Sequence, residues 1–321
     1  MHDMSGCEPT RCLGRSIAGE GVAMGEAAAL ASALAWAGTS VGMARLSTRY
    51  GGAVLSGLRF LIASPLVIAL MLATGGASEL GSAPAGAVAA IALSAAIGYG
   101  IGDTMYVRAL PRVGLQGMAP TTTALFVTSS AVGGVLLLDE PAGWALLFGG
   151  AGVVAGTYLI VRARVEGLPE PGAPRRLGLA ATAAVLALVA GCWTTATLLL
   201  AGGRGDLGAL PVSAIRIPAG GLTIAVGAML ASRGSVVRRL PSRADLPLMV
   251  ALGLGGTAVG SVLYIYGVTE AGAARAVILN STSPLMVVPL SMYFLGERPT
   301  RLIGVGTALC VLGTLALVAF G

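Results

Sequence analysis

The chain has 321 residues, of which 55% are apolar and 11% charged, with a formal net charge of +6. Ordinary soluble domains carry about 25% charged residues, so this chain cannot cover a water-facing surface; a soluble enzyme, a disordered chain and a nucleic-acid-binding domain are excluded. All twenty basic residues are arginines, and most fall in short gaps between apolar runs instead of gathering in one patch.

In chain order, residues 1–23 read as a loose, polar N-terminal tail without the apolar stretch of a signal peptide. Ten apolar runs follow, at 25–44, 53–73, 85–107, 115–138, 142–162, 177–201, 208–231, 246–267, 274–295 and 301–320. Each approaches the roughly 20 residues that a helix needs to cross a bilayer core. The polar gap 163–176 reads as a linker, with one five-helix repeat over 24–162 and a second over 177–321. The predicted fold is an all-α polytopic membrane protein.

An ordered series of matched positions carries the duplication. Trp36/Trp193, Arg59/Arg216, Glu140/Glu297 and Gly149/Gly306 share an offset of 157, while Gly98/Gly256, Gly102/Gly260, Tyr106/Tyr264 and Gly114/Gly272 share 158. One single-residue indel between Gly114 and Glu140 reconciles the two. Five spans per half is odd, so the second half enters from the opposite face, giving an inverted 5+5 repeat. The loop charges agree: 74–84 after the second span has no arginine, whereas the loop after the seventh carries Arg233, Arg238, Arg239 and Arg243. Fourteen arginines fall on one side and four (Arg11, Arg15, Arg204 and Arg275) on the other, which places both termini outside by the positive-inside rule.

Charge inside a span is the default pointer to function. Arg59, Asp103 and Arg216 qualify, as cavity-mouth or structural groups. Arg59 lies roughly 9 Å into its span at 1.5 Å per residue, where its long side chain can snorkel outward as an anchor; alternatively, Arg59 and Arg216 frame the two mouths of one cavity. Gly100-Ile101-Gly102-Asp103 spells the motif of intramembrane aspartyl proteases, but that chemistry needs two carboxylates and no other span holds an aspartate. The glycines read instead as close helix contacts, Gly98-x3-Gly102 recurring as Gly256-x3-Gly260. Trp36 with Ser40 and Trp193 with Thr197 are i,i+4 pairs that either line a cavity or pack. Tyr106 and Tyr264, near the expected helix ends, read as aromatic-belt residues. Thr121 and Thr128 share a face of span four, and Asn280, Ser281, Thr282 and Ser283 precede Pro284 in span nine; together they suggest a polar wall. Glu140 and Glu297 read as acids at the starts of spans five and ten. Cys192 and Cys310 read as packing residues, and no metal site or cofactor is expected.

The tryptophans of spans one and six, the pairs Leu58-Arg59 and Ile215-Arg216, the ending Leu295-Gly296-Glu297, and Gly156-Thr157 with Gly313-Thr314 resemble the ten-helix EamA-type transporters of the drug/metabolite transporter superfamily. The resemblance covers about residues 24–321. The first half departs from it in reading Leu138-Asp139-Glu140, without the glycine, and Pro284 stands where the family commonly has a mid-helix proline. The resemblance implies a secondary transporter, most simply an exporter, moving an amino acid-like, nucleobase-like or drug-like metabolite across the cytoplasmic membrane. Its expected site is a midplane cavity lined by Trp36, Ser40, Thr121, Thr128, Trp193, Thr197, Asn280, Ser281 and Ser283, worked by alternating access. The expected partners are the small-molecule substrate and the bilayer, without nucleic acid, in a monomer or homodimer. A non-transporting scaffold or sensor is the rival reading and predicts a dry interior.

Overall fold

The computed structural model describes residues 9–137, 144–166, 177–232, 241–271, 276, 279–280 and 282–319, and all regular structure among them is helical. Helix α1 runs Pro9–Ser47. It therefore starts well before residue 25, and residues 9–23, expected as a loose tail, continue the first helix. Proline fits a helix's first turn, and no other proline follows until Pro65. Then come α2 (Gly52–Ala73), a short α3 (Gly76–Ser82) and α4 (Ala85–Ala95). A π-helical stretch, π1 (Ala96–Asp103), leads directly into α5 (Thr104–Val113). The remaining helices of the first half are α6 (Leu115–Leu137) and α7 (Trp144–Glu166).

The second half repeats the order with α8 (Leu179–Gly203), α9 (Ala209–Ser232) and α10 (Leu246–Ala251). A second π-helical stretch, π2 (Leu252–Gly260), passes into α11 (Ser261–Ala271). Helices α12 (Ser283–Leu295) and α13 (Arg301–Ala319) complete it. Pro284 sits in the first turn of α12, not in mid-helix; its missing N–H costs nothing there.

Among the described residues, six helical segments are long and apolar enough to cross a membrane: Gly21–Ser47, Gly52–Ala73, Ala85–Val113, Leu179–Gly203, Ala209–Leu230 and Leu246–Ala271. Phe148–Ala163, Ser283–Leu295 and Arg301–Ala316 are shorter apolar helices. Large apolar side chains such as Leu61, Leu222, Leu230 and Phe148 stand exposed on the outer surface, the reverse of a soluble protein and the arrangement that suits lipid. The third segment outruns the expected 85–107, and this carries Tyr106 inward.

The halves interlock reciprocally. Helix α1 packs on π2 and α11, while α8 packs on π1 and α4; α2 packs on α9, and α7 on α13. Matched glycines make the closest approaches. A methyl added at Gly98 would meet Ala196 Cβ at 2.7 Å, and one at Gly256 would meet Thr39 Cβ at 2.7 Å. Gly102 lies against Trp193, and Gly260 against Trp36. At the α7–α13 seam, a Cβ on Gly156 would stand 2.5 Å from Gly306 O, and one on Gly313 would stand 2.6 Å from Gly149 O. Small residues let membrane helices approach this closely. Hydrogen bonds cross the same contacts, from Ser32 Oγ to Gly260 O at 2.8 Å and from Ser94 Oγ to Ala196 O at 2.7 Å.

Candidate functional site

A cavity of about 150 Å³ opens where the two halves meet. A dry cavity of that size holds benzene, so the space suits a ligand of a few heavy atoms upward. Facing helices bring like residues to it: Trp36 and Ser40 from α1, Trp193 and Thr197 from α8, Tyr106 from α5 and Tyr264 from α11. Asn280, Ser283 and Val287 close one side, and Ala119, Thr122, Thr123 and Phe126 of α6 another.

Aromatic rings form much of the wall. Phe126 meets Trp193 edge-on at 6.3 Å between centroids, and Tyr106 lies tilted on Trp193 at 5.5 Å. Tyr106 is 7% exposed, so the aromatic-belt reading fails for it, and Tyr264 lines the cavity as well. Both readings rested on helix ends placed too early.

Arg59 and Asp103 form a buried ion pair through Arg59 Nη2 and Asp103 Oδ2, with side chains 3% and 5% exposed. Arg59 therefore does not snorkel outward. Its guanidinium also lies over Trp36 at 5.8 Å and Phe60 at 5.0 Å. Arg216 occupies the matched position in the second half but has a different environment. It stacks on Tyr99 at 4.6 Å and makes neither ion pair nor hydrogen bond among the described residues; its buried Nε is unpartnered. A cation–π contact of this kind contributes about 0.5–2 kcal/mol, against a desolvation cost of several kcal/mol per buried ion. The cavity thus holds one neutralised arginine and one that is not.

The structure brings Trp36, Ser40, Arg59, Asp103, Trp193, Thr197, Arg216, Asn280 and Ser283 to the cavity wall. It does not bring Thr121 or Thr128 there. Thr121 is fully buried with an unpartnered hydroxyl, and Thr128 Oγ1 donates to Ala124 O at 2.9 Å. Thr122 and Thr123 take the cavity face instead. Ser281 and Glu140 lie outside the described residues.

Glu297 caps another helix. Its carboxylate accepts from Leu115 N at 3.1 Å and Gln116 N at 3.2 Å, at the start of α6, so the expected role at the start of span ten is replaced by one in span four. Gly296, left-handed at φ +66°, ends α12 and turns the chain so that Glu297 reaches across. Among the described residues, no group of three or more His, Cys, Asp or Glu is placed to hold a metal.

The EamA-like transporter family matches this sequence twice, over residues 23–162 and 181–319. The chain belongs to that family. It is a multi-pass membrane protein, as its apolar helices require. A probable terminal-alkyne amino-acid exporter of Streptantibioticus cattleyicolor is 31% identical over 100 residues, covering 31% of this chain and 34% of that relative. The match thus spans about a third of that relative's length. A solved crystal structure shares the fold, with a TM-score of 0.65 at 19% identity over 90% of this chain and 95% of that one. Membership of this family supports a membrane transporter.

Proposed function

We propose that the protein exports a small, amino acid-like metabolite across the cytoplasmic membrane by alternating access around the central cavity, and that it has no enzymatic activity. On this reading ten helices form two inverted five-helix halves, divided near the linker 163–176, that rock about the cavity. The reciprocal contacts support it: each partner in the Gly98–Ala196 approach has its counterpart in Gly256–Thr39, and likewise Gly102–Trp193 in Gly260–Trp36. The observation that carries the functional reading is the cavity itself, because polar residues from both halves line one shared space. A scaffold would have no use for such a space. The cavity lies within one chain, so a monomer suffices for transport. The amino acid-like substrate rests on the similarity to the probable terminal-alkyne amino-acid exporter of S. cattleyicolor.

The test is counterflow from proteoliposomes loaded with amino acids, nucleobases or cationic drugs, using wild type and Thr123→Trp. Thr123 lines the cavity, so filling the space there is expected to reduce amino-acid flux at least tenfold while the protein stays monodisperse. Undiminished flux through Thr123→Trp would remove the cavity from the transport path.

A further inference from the structure

The two halves differ at one chemically decisive position. Asp103, which neutralises Arg59, aligns at the offset of 158 with Ser261. The second arginine therefore lacks the acid that the first possesses. Ser261 is buried, and its hydroxyl lies 3.4 Å from that of Tyr99, the ring under Arg216. No carboxylate among the described residues pairs with Arg216, although it is 5% exposed and faces the cavity.

We infer that Arg216 is the binding group for a carboxylate on the transported molecule, so that the substrate class is a small monocarboxylate with an apolar body. The inference rests on the transporter reading of the cavity and adds the group that selects its occupant. An incoming carboxylate supplies at Arg216 the counter-charge that Asp103 supplies at Arg59. A planar guanidinium suits that ligand geometrically, because carboxylates dock on its fork of donors through two parallel hydrogen bonds. The apolar body of the ligand then meets the ring wall of Trp193, Phe126 and Tyr106. Among the described residues only one of the two arginines lacks an acidic partner, so the site takes one acidic group, not two.

The test uses two matched pairs of probes on purified protein in detergent: L-leucine with L-leucinamide, and 4-methylpentanoate with 4-methylpentanamide. Binding is measured by calorimetry for wild type, Arg216→Gln, Arg216→Lys and Ser261→Asp. In wild type each acid is expected to bind at least tenfold more tightly than its amide. Arg216→Gln brings that ratio close to one, and Arg216→Lys restores part of it. Ser261→Asp, which gives the second arginine an internal partner, also abolishes the preference; if that variant does not fold, the Arg216 pair of variants carries the test alone. Equal binding of acids and amides, an acid preference that survives Arg216→Gln, or no binding of either acid each overturns the inference. If Arg216→Gln proteoliposomes export a neutral compound at the wild-type rate, the role of Arg216 falls while the transporter reading stands. Absence of flux for every probe class would instead sink the transporter reading.

Discussion

Asp103→Leu offers the sharpest energetic test of the buried pair. The substitution leaves the Arg59 guanidinium without a counter-ion at 3% side-chain exposure, with its Nε already unpartnered. Two unit charges 4 Å apart attract by about 4 kcal/mol at an effective dielectric of 20. The contacts over Trp36 and Phe60 are common to wild type and variant and cancel from the difference. The expected loss is therefore about 4 kcal/mol, inside the 3–5 kcal/mol range for breaking a buried pair. A loss of 1 kcal/mol moves Tm by about 2–4 °C in chains of about 150–250 residues and by less in longer ones, so a drop of roughly 5–10 °C is expected. Replacing both charges with apolar groups is often neutral, and Arg59→Leu/Asp103→Leu is expected to melt within about 3 °C of wild type. Intrinsic-fluorescence melting in detergent, with size-exclusion chromatography as the check on folding, reads all variants in one experiment. An Asp103→Leu protein melting within about 2 °C of wild type, or a double variant less stable than the single, would refute the reasoning.

Gly256→Ala places a methyl against Thr39 Oγ1 and 2.7 Å from its Cβ, so rotating the threonine cannot relieve the clash; a loss of about 1–3 kcal/mol is expected, and Thr39→Gly in the same chain should recover most of it in a melting experiment. Glu297→Ala frees the Leu115 and Gln116 amides at the start of α6; losing such a cap costs about 0.5–2 kcal/mol, and hydrogen exchange should quicken at those two amides before anywhere else in α6. Outside the membrane, hydrogen bonds from Tyr50 and Ser242 and the charge of Arg49 hold the Asp245 carboxyl below its ordinary value. A depressed folded-state value means that the stabilisation is complete above about pH 4 and fades as pH falls further. The Tm difference between wild type and Asp245→Asn should accordingly be flat from pH 7 to about pH 4.5 and shrink below that; a difference that grows on acidification would contradict the sign.

Much of this architecture was legible because the signals were redundant. Apolar length marked the spans, and the matched glycines anticipated the reciprocal close approaches, since only glycine tolerates backbone atoms 2.5 Å from a would-be Cβ. Trp36, Ser40, Trp193 and Thr197 reached the cavity as i,i+4 pairs from corresponding helices. Periodicity failed where it fixed a shared face without its direction. Thr121 and Thr128 do share a face of α6, but at 100° per residue the neighbouring Thr122, Thr123 and Phe126 point at the cavity instead. Tyr106 reads as a helix-end residue when the third span is ended at 107, whereas α5 continues through Pro111 to Val113; Tyr264 does so when the eighth is ended at 267, whereas α11 runs to Ala271. The π-helical stretches carry no sequence period of their own, so the face shared by Gly98 and Asp103, five residues apart, was not readable. Depth along the helix leaves the outward snorkel and the cavity position of Arg59 both open, because it says nothing about which way a long side chain turns.

The α7–α13 seam has a consequence for how the chain is held together. Backbone meets backbone there with no room for a methyl group, and neither helix contributes to the cavity wall. The last helix of each half is thus clasped to its counterpart by close fit, with Cys310 Sγ donating to Val153 O across the seam, away from the space where a solute would sit. A gene split between Glu166 and Leu177 should for that reason yield two fragments that find each other in the bilayer and copurify, and a bulky residue at Gly156 or Gly313 should part them.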